Sequence, residues 1–438
     1  VIIMRIINFN ELKVSRGRGI PQNVVVSVSA IVNEVRLRSD DALLEFTDKF
    51  DGVKLSAADL RVSQKELKGA YESIPGRLRI ALEQSAERIR SFQELQLPRS
   101  LTMETTPGVT IGVTFDPLES VGVYVPGGRA AYPSTVLMTV IPAKVAGVGR
   151  IVMFTPPGKD GRVPQVIMAA AYIAGADEVY RAGGAHAIAA MAYGTKSIRR
   201  VEKIVGPGNV YVQTAKMLVG RDVAVDMPAG PSEVLIYAEE RGRERWIAAD
   251  IIAQAEHDPE AIAILVTPDK ELASEVQGIA EETASRAPRR EILEKSLAES
   301  IIVVVKNRDE GIEAINEVAP EHLQLMGECC NEVLRGVRNA GAVFLGDYST
   351  VALGDYSAGT NHVLPTMGWA RRASPLSVRD FLRSREFVRC SKEGIEAIGS
   401  DAIAIGKAEG LYNHARSVEL RMMKIEAKGE GGKKSECK

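Results

Sequence analysis

The chain has 438 residues, 55 Lys and Arg against 57 Asp and Glu, a formal charge of -2 and 45% apolar residues. That balance fits an ordinary soluble globular protein of roughly two to four packed units, and it lacks the basic face that holds a nucleic acid or an acidic membrane surface. With no run of about 18 uncharged apolar residues and no signal-peptide pattern, a cytoplasmic protein acting on small molecules is expected, without nucleic-acid or membrane partners. The four cysteines, Cys329, Cys330, Cys390 and Cys437, form no Cys-x-x-Cys pair and read as reduced thiols.

Helical apolar spacing marks Asp40 to Phe50, Gln64 to Ser73 and Arg77 to Leu95. From Val121 onward, short apolar runs alternate with helical segments across Gly, Pro or Asp junctions, the pattern of a parallel sheet covered by helices. One series comprises Val121 to Val125, Ile151 to Phe154, Glu178 to Arg181, Lys203 to Val205 and Val223 to Asp226. A second comprises Glu233 to Tyr237, Ala261 to Val266, Ile301 to Val305, Leu323 to Met326 and Ala342 to Leu345. An α/β protein with two adjacent Rossmann-like units is therefore expected, although no sequence repeat marks them as copies. After Pro365 the alternation stops. Arg371, Arg372, Arg379, Arg383, Arg385 and Arg389 read as a solvated face leading to a last long helix near Ala402 to Lys424, and the tail beyond Lys428 has nothing to bury and is expected to be disordered.

Only five histidines occur, and four of them, His257, His322, His362 and His414, lie in the last 182 residues beside carboxylates or amides. Gln254 and His257, three apart at the end of a helix from about Glu244, share one face with Cβ atoms roughly 5 to 6 Å apart and can grip one metal ion. Taken alone, that spacing is equally a capped helix end, and Asp355 in its Gly- and Ser-rich surroundings is equally a turn-former. Glu321 and His322 place two proton-transfer groups at a strand boundary. Three glycine turns, Gly127-Gly128, Gly183-Gly184 and Gly206-Pro207-Gly208-Asn209, sit at strand-to-helix junctions where backbone N–H groups can approach a phosphate. Position 211 is Tyr rather than a third glycine, so the dinucleotide fingerprint is missing. From the residues alone the reading stops at an α/β enzyme with a metal and a phosphate-bearing ligand.

Seven longer motifs go further: Gly122-Val-Tyr-Val-Pro-Gly-Gly128, Lys203-Ile-Val-Gly-Pro-Gly-Asn209, Asp226-Met-Pro-Ala-Gly-Pro-Ser-Glu233, Gln254-Ala-Glu-His257, Ala319-Pro-Glu-His-Leu323, Gly354 to Thr366 and Glu409-Gly-Leu-Tyr-Asn-His414. Together they resemble the histidinol dehydrogenase family over residues 20 to 425. The resemblance implies zinc-dependent oxidation of L-histidinol through L-histidinal to L-histidine, the last step of histidine biosynthesis, with two NAD. It also implies Gln254, His257, Asp355 and His414 as zinc ligands, Glu321 and His322 as general bases, and Ser232, Gln254, His257, His322, Asp355, Glu409 and His414 as substrate contacts. His362 is implied as a neighbour of the reacting end. Tyr124 and Asn209 match NAD contacts, while His186 stands where the family usually has glutamine and places NAD affinity in question. The implied assembly is a homodimer in which His414 and Glu409 cross the interface, with an aldehyde-dehydrogenase-like architecture.

Placed on the chain, the expected division is an N-terminal arm (1–19), a first α/β domain carrying zinc and catalytic residues (20–126 and 233–370), a second contributing to the NAD site (127–232), a C-terminal helical arm (371–427) and a tail (428–438). A zinc hydrolase is the alternative, but the His-Glu-x-x-His signature is absent and the glycine turns would have no role. A thiol-dependent aldehyde dehydrogenase would need a cysteine within these motifs, and a non-catalytic scaffold would leave Glu321 and His322 without purpose.

Overall fold

The computed structural model describes residues 4–14, 19–127, 131–228 and 230–430. The expected reading of Gly128 and of the tail beyond 430, with Cys437, lies outside the described residues. The chain forms two compact units: Val1–Gln96 with Leu118–Phe381, and Leu97–Pro117 with Leu382–Lys438.

The first unit contains two six-stranded sheets. One runs in the order Arg5–Asn8, Ile301–Val304, Ile262–Thr267, Glu233–Ala238, His322–Met326, Ala342–Leu345, with every pair parallel. The other runs Arg61–Val62, Glu178–Arg181, Arg150–Thr155, Ser120–Tyr124, Lys203–Val205, Ala224–Val225, parallel except for its first, antiparallel edge strand. With the edge strands Arg5–Asn8 and Arg61–Val62 set aside, each sheet has the order third, second, first, fourth, fifth in the chain, the doubly wound arrangement with a switch point beside its first strand. Strands buried on both faces explain the near-continuous Val, Ile and Leu runs. All six residues of Glu233–Ala238 are buried, and separate apolar cores cover the two faces of its sheet.

Strand pairing departs from the expected division. Ser120–Tyr124 pairs with Arg150–Thr155 and Lys203–Val205, and Val28, Val32, Leu43 and Phe46 enter the same core as Phe154 and Ile188. Ser120–Tyr124 therefore joins the sheet of Arg150–Thr155 and Lys203–Val205, and the helices Gln22–Arg38 and Asp40–Asp51 join its core.

In the second unit, Leu101–Thr106, Val109–Pro117 and Leu382–Cys390 form an antiparallel sheet, and two helices, Lys392–Ala408 and Tyr412–Glu430, follow. The single last helix expected from the sequence is thus two, separated at Gly410, which takes a φ of +75°. Arg383, Arg385 and Arg389 are exposed on a strand of this unit, as a solvated face requires. Cys329 and Cys330 are buried free thiols and Cys390 an exposed one. Among the described residues, no helix is long and apolar enough to cross a membrane.

Candidate active site

The candidate acid/base pair, Glu321 and His322, sits at the amino end of one of the two strands that flank the switch point of the all-parallel sheet. The helix Arg308–Val318 stops at Ala319, a non-glycine residue in the left-handed region at φ +52°, and Pro320 prevents its continuation. Glu321 is the next residue and His322 opens its strand, pairing in register with Val234. Both side chains are buried.

Their contacts are reciprocal with Glu233, which opens the neighbouring strand. The Glu233 N–H donates to Glu321 Oε2 at 2.9 Å, and the Glu321 N–H donates to Glu233 Oε1 at 3.2 Å. His322 Nδ1 lies 3.1 Å from the Glu233 carbonyl oxygen and 3.6 Å from Glu321 Oε2. Among the described residues, His322 Nε2 has no hydrogen-bond partner, and it lies 3.8 Å from Asp355 Oδ1. An Nδ1–H donated to the carbonyl leaves Nε2 as the proton-accepting atom in the neutral ring.

Asp355 lies in the last turn of a short helix, Val351–Tyr356, that Thr350 caps, rather than in an open turn. A Cβ at Gly354 would come within 2.6 Å of the Phe344 ring, so glycine is needed for this helix to approach the strand beside His322. The Asp355 carbonyl faces His362 Nδ1 at 3.2 Å, and His362 Nε2 meets Thr135 Oγ1 at 3.2 Å. His362 thereby joins the Asp355 helix to the helix Pro133–Ala146 that follows Ser120–Tyr124 in the other sheet. Gln254, in the last turn of Glu244–Ala255, is buried with its Nε2 unpartnered, and His257 just beyond is exposed. Ser232 precedes the Glu233 strand and is half-buried.

Burial raises Glu321 to about 7 against the pull of His322. For His322, burial acts downward, but the charges of Glu321 and Asp355 outweigh it and push the imidazole up to about 9. Asp355 is held below the ordinary carboxylate value: burial raises it, but His322, His362 and His257 favour its charged form more strongly. A buried carboxylate facing three imidazoles suits a cation with nitrogen and oxygen ligands. Among the described residues, no three His, Cys, Asp or Glu side chains already converge on a metal position. Gln254, His257 and Asp355 belong to the first unit. Glu409 and His414 belong to the second, where both are exposed, Glu409 ending one helix and His414 in the first turn of the next.

At the carboxyl ends of the other sheet, Tyr124 ends the first strand and its Oη accepts from the Gly184 N–H at 2.9 Å. Asn209 is exposed, and its side chain caps Val210–Val219 by accepting from Tyr211 and Val212. Between them, Gly206 at φ +118° runs so close to Tyr124 that a Cβ would stand 2.1 Å from its carbonyl oxygen. This is the switch-point crevice where α/β sheets take nucleotides. His186, the third residue expected to contact NAD, is buried. It is 1% exposed, its ring 6.1 Å from that of Phe46 and 5.9 Å from that of Phe50, with Nε2 3.8 Å from Asp51 Oδ2. The helix Gly184–Tyr193 packs this position between Gly184 and those rings. The residue missed from sequence is Glu233. It closes a quoted motif, and its place opposite Glu321 in neighbouring strands was the one signal for it.

The histidinol dehydrogenase family model matches residues 15–422. The histidinol dehydrogenase of Methanothermobacter thermautotrophicus is 46% identical over 426 residues, 96% of this chain and 100% of that protein. That of Methanosarcina mazei is 48% identical over 410 residues, covering 93% and 94%. The crystal structure of histidinol dehydrogenase from Elizabethkingia anophelis superposes with a TM-score of 0.90 at 36% identity, covering 97% of this chain and 99% of that one. With the family model, the relatives and the fold in agreement over nearly the whole length, the chain belongs to the histidinol dehydrogenase family and is an oxidoreductase.

Proposed function

We propose that this chain oxidises L-histidinol to L-histidine through L-histidinal, with two NAD and one water, closing histidine biosynthesis in the cytoplasm. The observation that carries the reading is the buried Glu321–His322 pair, whose unpartnered Nε2 faces Asp355. His322 takes the alcohol proton at Nε2 as the substrate carbon loses hydride. Glu321, with its carboxyl raised to about 7 by burial, takes a proton from the water that adds to the aldehyde. NAD, when bound, accepts one hydride in each half-reaction. Tyr124 and Asn209 are the proposed NAD contacts, and His186 is given a packing role.

Gln254, His257, Asp355 and His414 would hold zinc, the last supplied with Glu409 by the partner of a homodimer. Zinc, when bound, supplies positive charge that orients the substrate and offsets Asp355, which favours the neutral, proton-accepting form of His322. Ser232 and Glu409 complete the substrate contacts, and His362 keeps Asp355 in place. Nothing in the site favours the hydrolytic alternative. The test is the absorbance of reduced nicotinamide on adding L-histidinol to the zinc-loaded protein: two equivalents per histidinol are expected, and one equivalent with histidinal accumulating overturns the two-base reading.

A further inference from the structure

Glu233 takes no part in the reaction above, yet it meets every segment from which the acid/base pair is built. Its N–H holds Glu321 Oε2, its Oε1 accepts from the Glu321 N–H, and its carbonyl oxygen faces His322 Nδ1. The same Oε1 accepts from the Met367 N–H at 3.0 Å. Met367 sits at φ +55°, and the adjacent Thr366 is buried with its Oγ1 accepting from the Gly230 N–H. Two non-glycine residues in left-handed backbone, Ala319 and Met367, therefore flank the groups tied to one carboxylate. Such strain persists only where the surroundings over-determine it.

Geometry explains the arrangement. The strands of Glu233 and His322 are parallel neighbours in the register Val234 to His322, so Glu233 and Glu321 stand side by side one residue ahead of the ladder. Each has an amide N–H that the ladder leaves without a partner, and each carboxylate accepts from the other's. The exchange fixes the entry of both strands, and with it the direction of the imidazole.

We infer that Glu233 is a positioning residue for the dehydrogenation, its carboxylate seating Glu321 and His322 and tying both to the Thr366–Met367 segment. The inference rests on the roles proposed above for Glu321 and His322. What Glu233 contributes is an oxygen acceptor at Oε1, not a charge, so a neutral side chain of the same length can do the work. It holds the reacting groups in line for the proton transfer and leaves substrate and cofactor affinity to other residues.

The experiment compares Glu233→Ala and Glu233→Gln with wild type in the full-length, zinc-loaded enzyme, reading kcat and KM for L-histidinol and NAD alongside the melting temperature. Absence of histidinol-dependent NAD reduction in the wild type would remove the activity assignment and say nothing of Glu233. With an active wild type, Glu233→Ala is expected to lower kcat by ~10²-fold with both KM values little changed, the cost of misplacing groups by about 1 Å. Glu233→Gln keeps an oxygen for the Glu321 and Met367 N–H groups and is expected to stay within ~10-fold of wild-type kcat, since alignment is retained. A folded Glu233→Gln enzyme that has lost ~10²-fold or more overturns the inference, because alignment would then not explain the residue. So does wild-type kcat in Glu233→Ala. The Gln variant decides the matter by itself where the Ala variant does not fold.

Discussion

At the scale of single residues, the site separates the two proposed bases by surroundings as much as by residue type. Burial raises Glu321 to about 7, while His322 is drawn upward by two carboxylates, so each proposed half-reaction has its own candidate base. His322→Asn is expected to suppress oxidation of histidinol, and Glu321→Gln to slow mainly oxidation of added histidinal. General bases contribute ~10²- to 10⁴-fold, and equal losses in both steps for both variants would merge the two roles. Glu233 carries a stability consequence as well. Burial lifts its carboxyl to about 7 from an ordinary 4.5 even though the N–H groups of Glu321, Met367 and Gly368 favour the charged form. A carboxyl raised in the folded state takes up a proton on folding between those values, so its contribution to stability is present at low pH and is lost as pH rises from about 4.5 to 7. Over that window, Glu233→Gln should flatten the fall of unfolding free energy measured in urea by on the order of 3 kcal/mol. An unchanged slope would show that Glu233 does not hold its proton there.

At the scale of elements, both crevices are made by strand ends, but by opposite ones. The NAD contacts proposed here lie at the carboxyl ends of their sheet, whereas Glu233, Glu321 and His322 lie at the amino ends of the other. The glycine turn Gly206-Pro207-Gly208 depends on a buried ion pair rather than on local preference. Asp226 Oδ2 accepts from the Gly206 N–H at 2.7 Å, Lys216 Nζ donates to the Gly206 carbonyl at 3.0 Å, and Lys216 and Asp226 pair with each other. Lys216→Met removes the cation and leaves a buried carboxylate unpaired, at an expected loss of about 3 to 5 kcal/mol. Chemical denaturation measures this directly, and a midpoint equal to that of wild type would mean that Asp226 is protonated in the native state.

At the scale of the whole molecule, the second unit exposes Leu101, Met103, Val388, Ile405, Tyr412 and Met423. So many large apolar side chains on a small antiparallel sheet and two helices are an uncovered surface of the kind that marks association. They accord with the proposed homodimer in which Glu409 and His414 serve the partner's site. The test is to mix inactive His414→Ala with inactive His257→Ala under conditions that exchange subunits. A shared site gives one hybrid centre with all four ligands, and random mixing into a two-fold dimer restores roughly a quarter of wild-type activity. No recovery despite demonstrated exchange would place all four ligands in one chain and leave the family assignment standing.

The alternating apolar runs were legible because strands buried on both faces are rich in Val, Ile and Leu, and ten of them recur as strands in the two larger sheets. The proposed zinc and base residues were legible only through long motifs, since each spacing alone is as common in helix caps and turns. Three things escaped that reading for one reason, namely that they depend on partners distant in the chain. Sheet membership of Ser120–Tyr124 is decided by hydrogen bonds to strands about 30 and 80 residues away. Burial of His186 is decided by Phe46 and Phe50, from a helix more than a hundred residues earlier. The place of Glu233 beside the bases is decided by the register of two strands 88 residues apart. Local period therefore determined the ten strands of the two larger sheets, though not the antiparallel sheet of Leu101–Thr106, Val109–Pro117 and Leu382–Cys390, which lies where helices were expected, and the long motifs determined the family. Only tertiary packing decided which side chains face the crevices, because a side chain's direction is set by what its element lies against.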